Sequence, residues 1–410
     1  NYSGQLGDST GRTRKLPVLV EFPLPDVQIV AIDAANDHSF ALDSQGRLWS
    51  WGDNGSYQLG DSVYSLRSSP LYLGGLEQQG KVRTFSVGPS GGAAVLADGS
   101  LWVWGFYGRY EEPTRVTGLP GLVAQVHLGD SHLVITLTDG RVLTSGDNTY
   151  GQLGDGTEVS PDDLVFVSPK GVTAPVTLFT AGYYHALALD ASGRLMAWGD
   201  NSVGQLGNGV SISQSVPSSV SGLSGVTQIA SGSYHALALL ADGTVRAWGY
   251  NGEGELGDKS DVQVRTGPVV SKGLVGIKRV AAGGDNSAAL DASGKLWVWG
   301  SNYSGQLTLA DDVYRADTPT LATGLPALAE VSVGGEHMLG LDLQGRVWVW
   351  GSNGYGQLGD GYNQATAPRM LTSLSNITAI SAGGDHSMAL DNQGRVWAWG
   401  DNAYLQVGPS

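Results

Sequence analysis

The chain has 410 residues and a formal net charge of −15, a balance that works against the cation–phosphate attraction nucleic acids require and argues against them as main partners. It contains 62 Gly, 12 Trp and no Cys, which rules out disulfides, thiol nucleophiles and thiolate metal sites. A hydrophobic share of 41% is too high for a disordered chain, and there is no apolar run of about 18 residues to cross a membrane.

Taken in order, the chain opens with "NYSGQLGD" and an apolar stretch "LPVLVEF" at 16–22. It then repeats one pattern to its end. The residue before a recurrent glycine falls at 51, 104, 145, 198, 248, 299, 350 and 399, with separations of 53, 41, 53, 50, 51, 51 and 49. Seven of those eight positions are Trp, and position 145 is Ser. Thirteen residues upstream of each stand His38, Gly91, His132, His185, His235, Asn286, His337 and His386. A fixed offset of 13 means that this part of the unit tolerates no insertion. Periods near 50 with short alternating strands indicate a propeller or β-array.

Within one unit, 331–351, the pattern predicts a short apolar strand, a Gly-Gly turn, a second strand from His337 to Leu341, a "DLQG" hairpin and the strand "RVWVWG". Trp348 and Trp350 are two residues apart and so share one face of the sheet. Aromatic rings on one face of every unit fit sheets stacked against neighbours. Hairpins such as "DSQG", "LADG" and "DNQG" place glycine where a tight turn needs positive φ. A fourth strand is expected around "SSPLYL", "VPSSV" or "TPTLA", with its proline near an edge.

These residues carry a resemblance. The pattern VxxVxxGxxHxxAL…GxLWxWGxNxxGQLGxG is similar to the repeat of the regulator of chromosome condensation family, and it covers essentially the whole chain. The resemblance implies an all-β fold: a closed β-propeller of four-stranded blades in a single domain, 1–410. Family members commonly have seven blades. The count here predicts eight, with repeats at approximately 1–53, 54–106, 107–147, 148–200, 201–250, 251–301, 302–352 and 353–410. The resemblance further implies that the N-terminal strand 16–22 completes the last blade beside 396–402, removing an open sheet edge.

The glycine-rich segment "GSNGYGQLGDG" (351–361) has the look of a phosphate loop. Its near-copies in most units make it architecture, and none carries the Gly-Lys-Ser/Thr that a Walker-type loop needs. Six of the 7 His lie on the fixed offset. Neighbouring blades would hold equivalent imidazoles too far apart for one zinc ion, so the expected role is a bond to backbone at the strand entrance that fixes neighbouring blades. The acidic segments 147–163 and 309–317 lack the alternating ligands and terminal Glu of an EF-hand and read as solvated loops. No catalytic residue, metal ligand or cofactor is assigned.

One stretch breaks the repeat. After Trp104 the "NxxGQLGxG" segment is missing, and "GFYGRYEEPTRVTGL" (105–119) stands in its place. Tyr and Arg dominate protein-binding hot spots, so Phe106, Tyr107, Arg109, Tyr110 and Arg115 form the candidate binding site. The competing reading is that these aromatics cover strand ends left bare by a shortened loop.

The expected function is a non-catalytic protein-binding scaffold with a protein partner and no membrane insertion. The family resemblance implies partner binding as its common thread. Alternatives are guanine-nucleotide exchange on a small GTPase, as the family's namesake performs, and a glycan-binding propeller using exposed tyrosines. Few Lys beside much Gly, Ser, Thr and Asn suggests a secreted or cell-surface location, with the cytoplasm as alternative. The chain starts inside a repeat motif, which fits a piece of a larger polypeptide or assembly.

Overall fold

The computed structural model describes residues 5–9, 12–106, 109–129, 131–161, 163–173, 175–310, 312–362 and 367–401, the side chain of Glu77 excepted. The fold is an all-β propeller of eight blades. Among the described residues, seven sheets have four strands and one has three. The chain divides into two compact units. The first is Asn1–Gly118, Ser304–Ala310 and Thr323–Ser410, and the second is Leu119–Tyr303 and Asp311–Ala322.

Each blade is a meander whose second strand starts at the repeated histidine position and is buried along nearly its whole length, as in His38–Asp43, His235–Leu240 and His337–Asp342. Its neighbour is the Trp-bearing strand, and their register is the same in every unit. His38 faces Gly52, His185 faces Gly199 and His337 faces Gly351. This pairing explains the fixed 13-residue offset. The two strands are joined by a tight hairpin, and any insertion would shift every inward-facing side chain to the wrong face.

The outer strands carry the predicted prolines: Arg67–Tyr72, Gln214–Ser219 and Arg315–Leu321. Each pairs with the Trp strand through a register shift. Gly52 faces Arg67 and Ser50 faces Leu71, so the ladder skips the segment that contains Pro70. The proline thus sits where no ladder N–H is required.

The last blade is completed by the N-terminal strand Arg14–Leu19, which pairs antiparallel with Val396–Gly400 through Arg14↔Gly400, Val18↔Ala398 and Leu19↔Trp397. The expected closure of one blade by both ends of the chain is therefore present, with the strand placed two residues earlier than its apolar stretch suggested. Val20 extends the contact, donating from its N–H to the Val396 carbonyl at 2.9 Å.

Two details differ from a uniform eightfold pattern. The blades straddle the sequence repeats: the outer strand of a blade lies in the loop region of the following repeat, so the strand Tyr110–Arg115 completes the second blade. The third blade, Val123–Gly146, has three strands, and its fourth position is held by an isolated bridge between Thr144 and Val167. The loop after Trp104 is cut to four residues, 106–109, whereas the segment after Gly146 runs 29 residues before the next strand at Val176.

Candidate functional site

The recurrent "NxxGQL" loops close on themselves. Asn54 accepts the Leu59 N–H on Oδ1 at 3.0 Å and donates from Nδ2 to the carbonyls of Asp61 and Val63 at 3.0 and 2.7 Å. Asn148, Asn201, Asn251 and Asn353 accept the equivalent Leu N–H at 3.0 Å. Gln58 accepts the Ser56 N–H and donates to Asp53, and Gln152 and Gln205 make the same pair of bonds. Asn and Gln thus serve loop groups that lack ladder partners.

The same glutamine does a second task through its backbone. Its carbonyl accepts the indole N–H of the following blade's inner tryptophan: Trp51 on Gln5 at 2.6 Å, Trp104 on Gln58 at 2.9 Å, Trp198 on Gln152 at 2.9 Å, Trp248 on Gln205 at 3.0 Å, Trp350 on Gln306 at 3.0 Å and Trp399 on Gln357 at 2.8 Å. Glu255 replaces glutamine in one loop and keeps the bond, to Trp299 at 2.7 Å. These seven rings are fully buried. The loop is thus a latch between consecutive blades, which is why it recurs. The second blade has no such loop, and the third blade has Ser145 in place of the tryptophan. Latch and ring are absent as a pair.

The histidines belong to the same latch. His235 Nε2 lies 2.9 Å from Ser287 Oγ, His337 Nε2 lies 2.8 Å from Ser387 Oγ, and His386 Nε2 lies 3.0 Å from Ser39 Oγ, each serine being on the next blade. The serine hydroxyl in turn donates to the latch carbonyl of Glu255, Gln357 or Gln5 at 2.8–2.9 Å. With the hydroxyl proton committed there, Nε2 carries the imidazole proton in these three. Burial pushes His38, His235 and His337 down to about 3 and His132, His185 and His386 down to about 4. All six are neutral near pH 7, and three of them, His235, His337 and His386, link blades through a serine hydroxyl.

Of the predicted binding residues, Phe106 is 7% exposed and takes φ +53°, with its N–H donating to the Ser90 carbonyl at 2.8 Å. Gly91 and Gly92 stand where four other blades have His-Ser or His-Ala. A Cβ on Gly91 would lie 2.9 Å from the Phe106 nitrogen, and one on Gly92 would lie 2.4 Å from the Trp104 ring. The glycines at 91 and 92 and the residue Phe106 are therefore one packing solution, with Phe106 over the end of the blade. Tyr107 lies outside the described residues. Arg109 and Arg115 are exposed and Tyr110 is half-buried on the outer strand Tyr110–Arg115. Glu111 of this strand faces Tyr57, whose hydroxyl is held above its ordinary range by burial and then by Glu111 and Tyr64. Tyr57 and Tyr64 pack with centroids 5.5 Å apart, which brings two further aromatics beside the candidate stretch.

A second exposed group escaped the sequence reading. In the second unit Tyr150 packs on Tyr184 at 5.2 Å, Tyr184 on Tyr183 at 6.1 Å, and Tyr183 stacks on Tyr234 at 5.9 Å. Its signal is the residue just before two of this unit's three repeat histidines, Tyr184 and Tyr234, where the other unit has Asp37, Glu336 and Asp385. Among the described residues no cluster of three or more His, Asp or Glu has the geometry to hold a metal ion. No described helix is long and apolar enough to cross a membrane.

Comparison with known proteins places this architecture. The model of the RCC1-like domain matches residues 1–339 and, in a second overlapping match, 108–410. The chain is 34% identical over 359 residues to the ultraviolet-B receptor UVR8 of Arabidopsis thaliana, covering 82% of this chain and 80% of the receptor. It is 26% identical over 356 residues to the X-linked retinitis pigmentosa GTPase regulator homolog of Caenorhabditis elegans, where the match spans 83% of this chain but only 24% of the relative. In fold it is similar to Prp20p of Saccharomyces cerevisiae, with a TM-score of 0.64, 20% identity, and coverage of 97% of this chain and 90% of that one. With the repeat, the eight blades and a family model that spans the chain in agreement, this protein belongs to the RCC1-like domain family.

Proposed function

We propose that the protein is a non-catalytic scaffold that binds a protein partner through the segment 109–115 and the tyrosines beside it. One observation carries the reading. Every other described loop at this position is committed to latching the next blade, whereas the second blade's segment carries no latch glutamine and presents Arg109 and Arg115 to solvent. A rigid scaffold with one exempt, exposed, Arg- and Tyr-bearing segment is the arrangement that supports binding. The test is affinity capture from the source organism with the intact chain and with Arg109→Ala/Tyr110→Ala/Arg115→Ala. A partner retained by the first and lost by the second supports the reading; identical captured sets contradict it.

A second reading, nucleotide exchange on a small GTPase, is favoured by one finding: a relative is named for GTPase regulation. Prp20p, similar in fold, has been studied for its binding to Gsp1p and histones. Acceleration of labelled-GDP release from a captured GTPase would establish exchange, and binding without acceleration would leave a scaffold. The relatives named above lend the secreted or cell-surface location no support.

A further inference from the structure

The tyrosine strip of the second unit is continuous and outward. Tyr150, Tyr183 and Tyr234 expose 41%, 41% and 40% of their surface, and Tyr184 packs between Tyr150 and Tyr183. Exposed aromatics scattered singly need no explanation, but four rings in mutual contact form a patch. The strip runs on toward carboxylates. The Tyr250 N–H donates to the Tyr234 carbonyl at 2.9 Å, and the Ser233 N–H donates to the Gly284 carbonyl at 3.1 Å, next to exposed Asp285.

The charge of this end is one-sided. Burial first, and then Glu255, Glu253 and Asp285, all acidic, hold the Tyr250 hydroxyl above its ordinary range. Glu255 takes the place of the latch glutamine and is fully buried. One oxygen accepts the Glu253 N–H at 3.0 Å, while Oε1 has no hydrogen-bond partner. In the other latches the glutamine amide donates to a neighbouring group, such as Asp147 or Asp200. Tyr250 replaces that aspartate here, so the carboxyl oxygen faces a place where a donor is missing. The nearby arginines are already committed: Arg265 pairs with Asp258 at 2.7 Å and Arg315 with Asp261 at 3.0 Å.

Stacked tyrosine faces beside unpaired carboxylates suit a flat, multi-donor cation. Guanidinium and ammonium groups stack on such rings, and carboxylates at the edge supply acceptors. We propose that the strip Tyr150–Tyr184–Tyr183–Tyr234, with Glu253 and Asp285 at its end, docks an arginine- and lysine-rich segment of a partner protein. The proposal rests on the protein-binding reading and adds a second contact region with a defined partner chemistry.

The test uses the full chain and a fluorescent decaarginine peptide, titrated by anisotropy across a salt series. Tyr183→Ala/Tyr234→Ala leaves net charge unchanged and removes exposed rings, so its melting temperature serves as the folding control. Two exposed cation–π contacts at about 0.5–1 kcal/mol each predict a roughly 5- to 30-fold weaker Kd. Glu253→Gln/Asp285→Asn is expected to weaken binding and flatten its salt dependence, while Asp37→Asn/Asp385→Asn, the same charge change in the other unit, shifts Kd by less than about threefold. Equal binding by wild type and the tyrosine variant would overturn the proposal, because diffuse negative charge would then suffice. Tyrosine-dependent binding of neutral oligosaccharides with no arginine-peptide binding would overturn it in favour of a glycan. Loss of the peptide effect with a partner still captured through 109–115 would sink this surface and leave the protein-binding reading standing.

Discussion

The latch between the seventh and eighth blades gives the sharpest energetic prediction. Gln357 presents one carbonyl to two donors, the Trp399 indole at 2.8 Å and the Ser387 hydroxyl at 2.9 Å, and Ser387 receives His337 Nε2 at 2.8 Å. Trp399 is 0% exposed within a cluster that includes Leu358, Leu371 and Ile380. Burying some 200 Å² of ring at about 25 cal/mol per Å² has an upper value of roughly 5 kcal/mol. Trp399→Ala should therefore cost about 3–5 kcal/mol, the range of buried aromatic truncations. Trp399→Phe retains most of the apolar area and forfeits one hydrogen bond, about 0.5–1.5 kcal/mol, since the carbonyl keeps Ser387. Ser387→Ala leaves His337 Nε2 buried without its acceptor, about 1–3 kcal/mol. The double variant Trp399→Phe/Ser387→Ala strips both donors from the carbonyl, so its loss should exceed the sum of the singles by about 1 kcal/mol. Guanidinium unfolding followed by far-UV circular dichroism, which does not depend on the altered tryptophan's fluorescence, measures all four. A loss below about 1 kcal/mol for Trp399→Ala, or strict additivity of the double, would refute the shared-carbonyl latch.

Three further outcomes are expected. Deleting residues 1–22 removes the strand Arg14–Leu19, the buried Leu6 and Val20, and the Gln5 carbonyl that holds Trp51 and Ser39; the denaturation midpoint should fall and light scattering should show association through the bared Val396–Gly400 edge, and an unchanged midpoint would contradict the closure. Six buried histidines with folded values near 3–4 bind protons only when unfolded, so their contribution is complete above pH about 6.5 and is lost as pH falls toward 4, roughly 2 kcal/mol each by pH 5. Asp33 and Asp401, raised to about 6, Glu255, raised to about 7, and Asp37, Asp285 and Asp385, raised by burial to a smaller extent, act with the opposite sign and offset part of this, so stability should still fall between pH 7 and 5; a flat profile would contradict the buried neutral histidines. Gly351→Ala should destabilise strongly, because φ is +102° and a Cβ would lie 2.7 Å from the Glu336 carbonyl; a melting temperature equal to wild type would show that the strand exit relaxes freely.

Much of the fold was legible because the repeat is rigid where the strands are. The offset from His337 to Trp350 survives insertion nowhere, so strand, hairpin and glycine could be placed by counting, and the truncated first repeat pointed to the strand that completes the last blade. The latch was half legible. Asn353 and Gln357 announce a self-bonded loop, but the Gln357 carbonyl meets Trp399 at a sequence distance of 42, while Gln5 meets Trp51 at 46. A backbone acceptor leaves no side-chain signature, which is why Glu255 can replace glutamine and keep the bond. The candidate stretch was found by its departure from the pattern, yet composition could not separate Phe106, which fills space vacated at Gly91, from Arg109 and Arg115, which face solvent. The tyrosine strip was invisible for a simpler reason: Tyr150, Tyr184 and Tyr234 sit in loops of successive blades and meet only once those blades pack.

Scaffold and binding segment should be separable parts of one propeller, and paired titration and melting of two variants measures that separation. Arg109→Ala/Tyr110→Ala/Arg115→Ala alters exposed or half-buried side chains outside any latch, and should weaken the captured partner's Kd about tenfold or more while the melting temperature moves by no more than about 1–2 °C. Gly356→Val, at φ +77° with the Arg14 carbonyl 3.1 Å from the new Cβ, should lower the melting temperature by several degrees and leave Kd unchanged below the transition. If the triple variant binds as wild type and melts early, the segment is a plug for the shortened loop and the account of function fails.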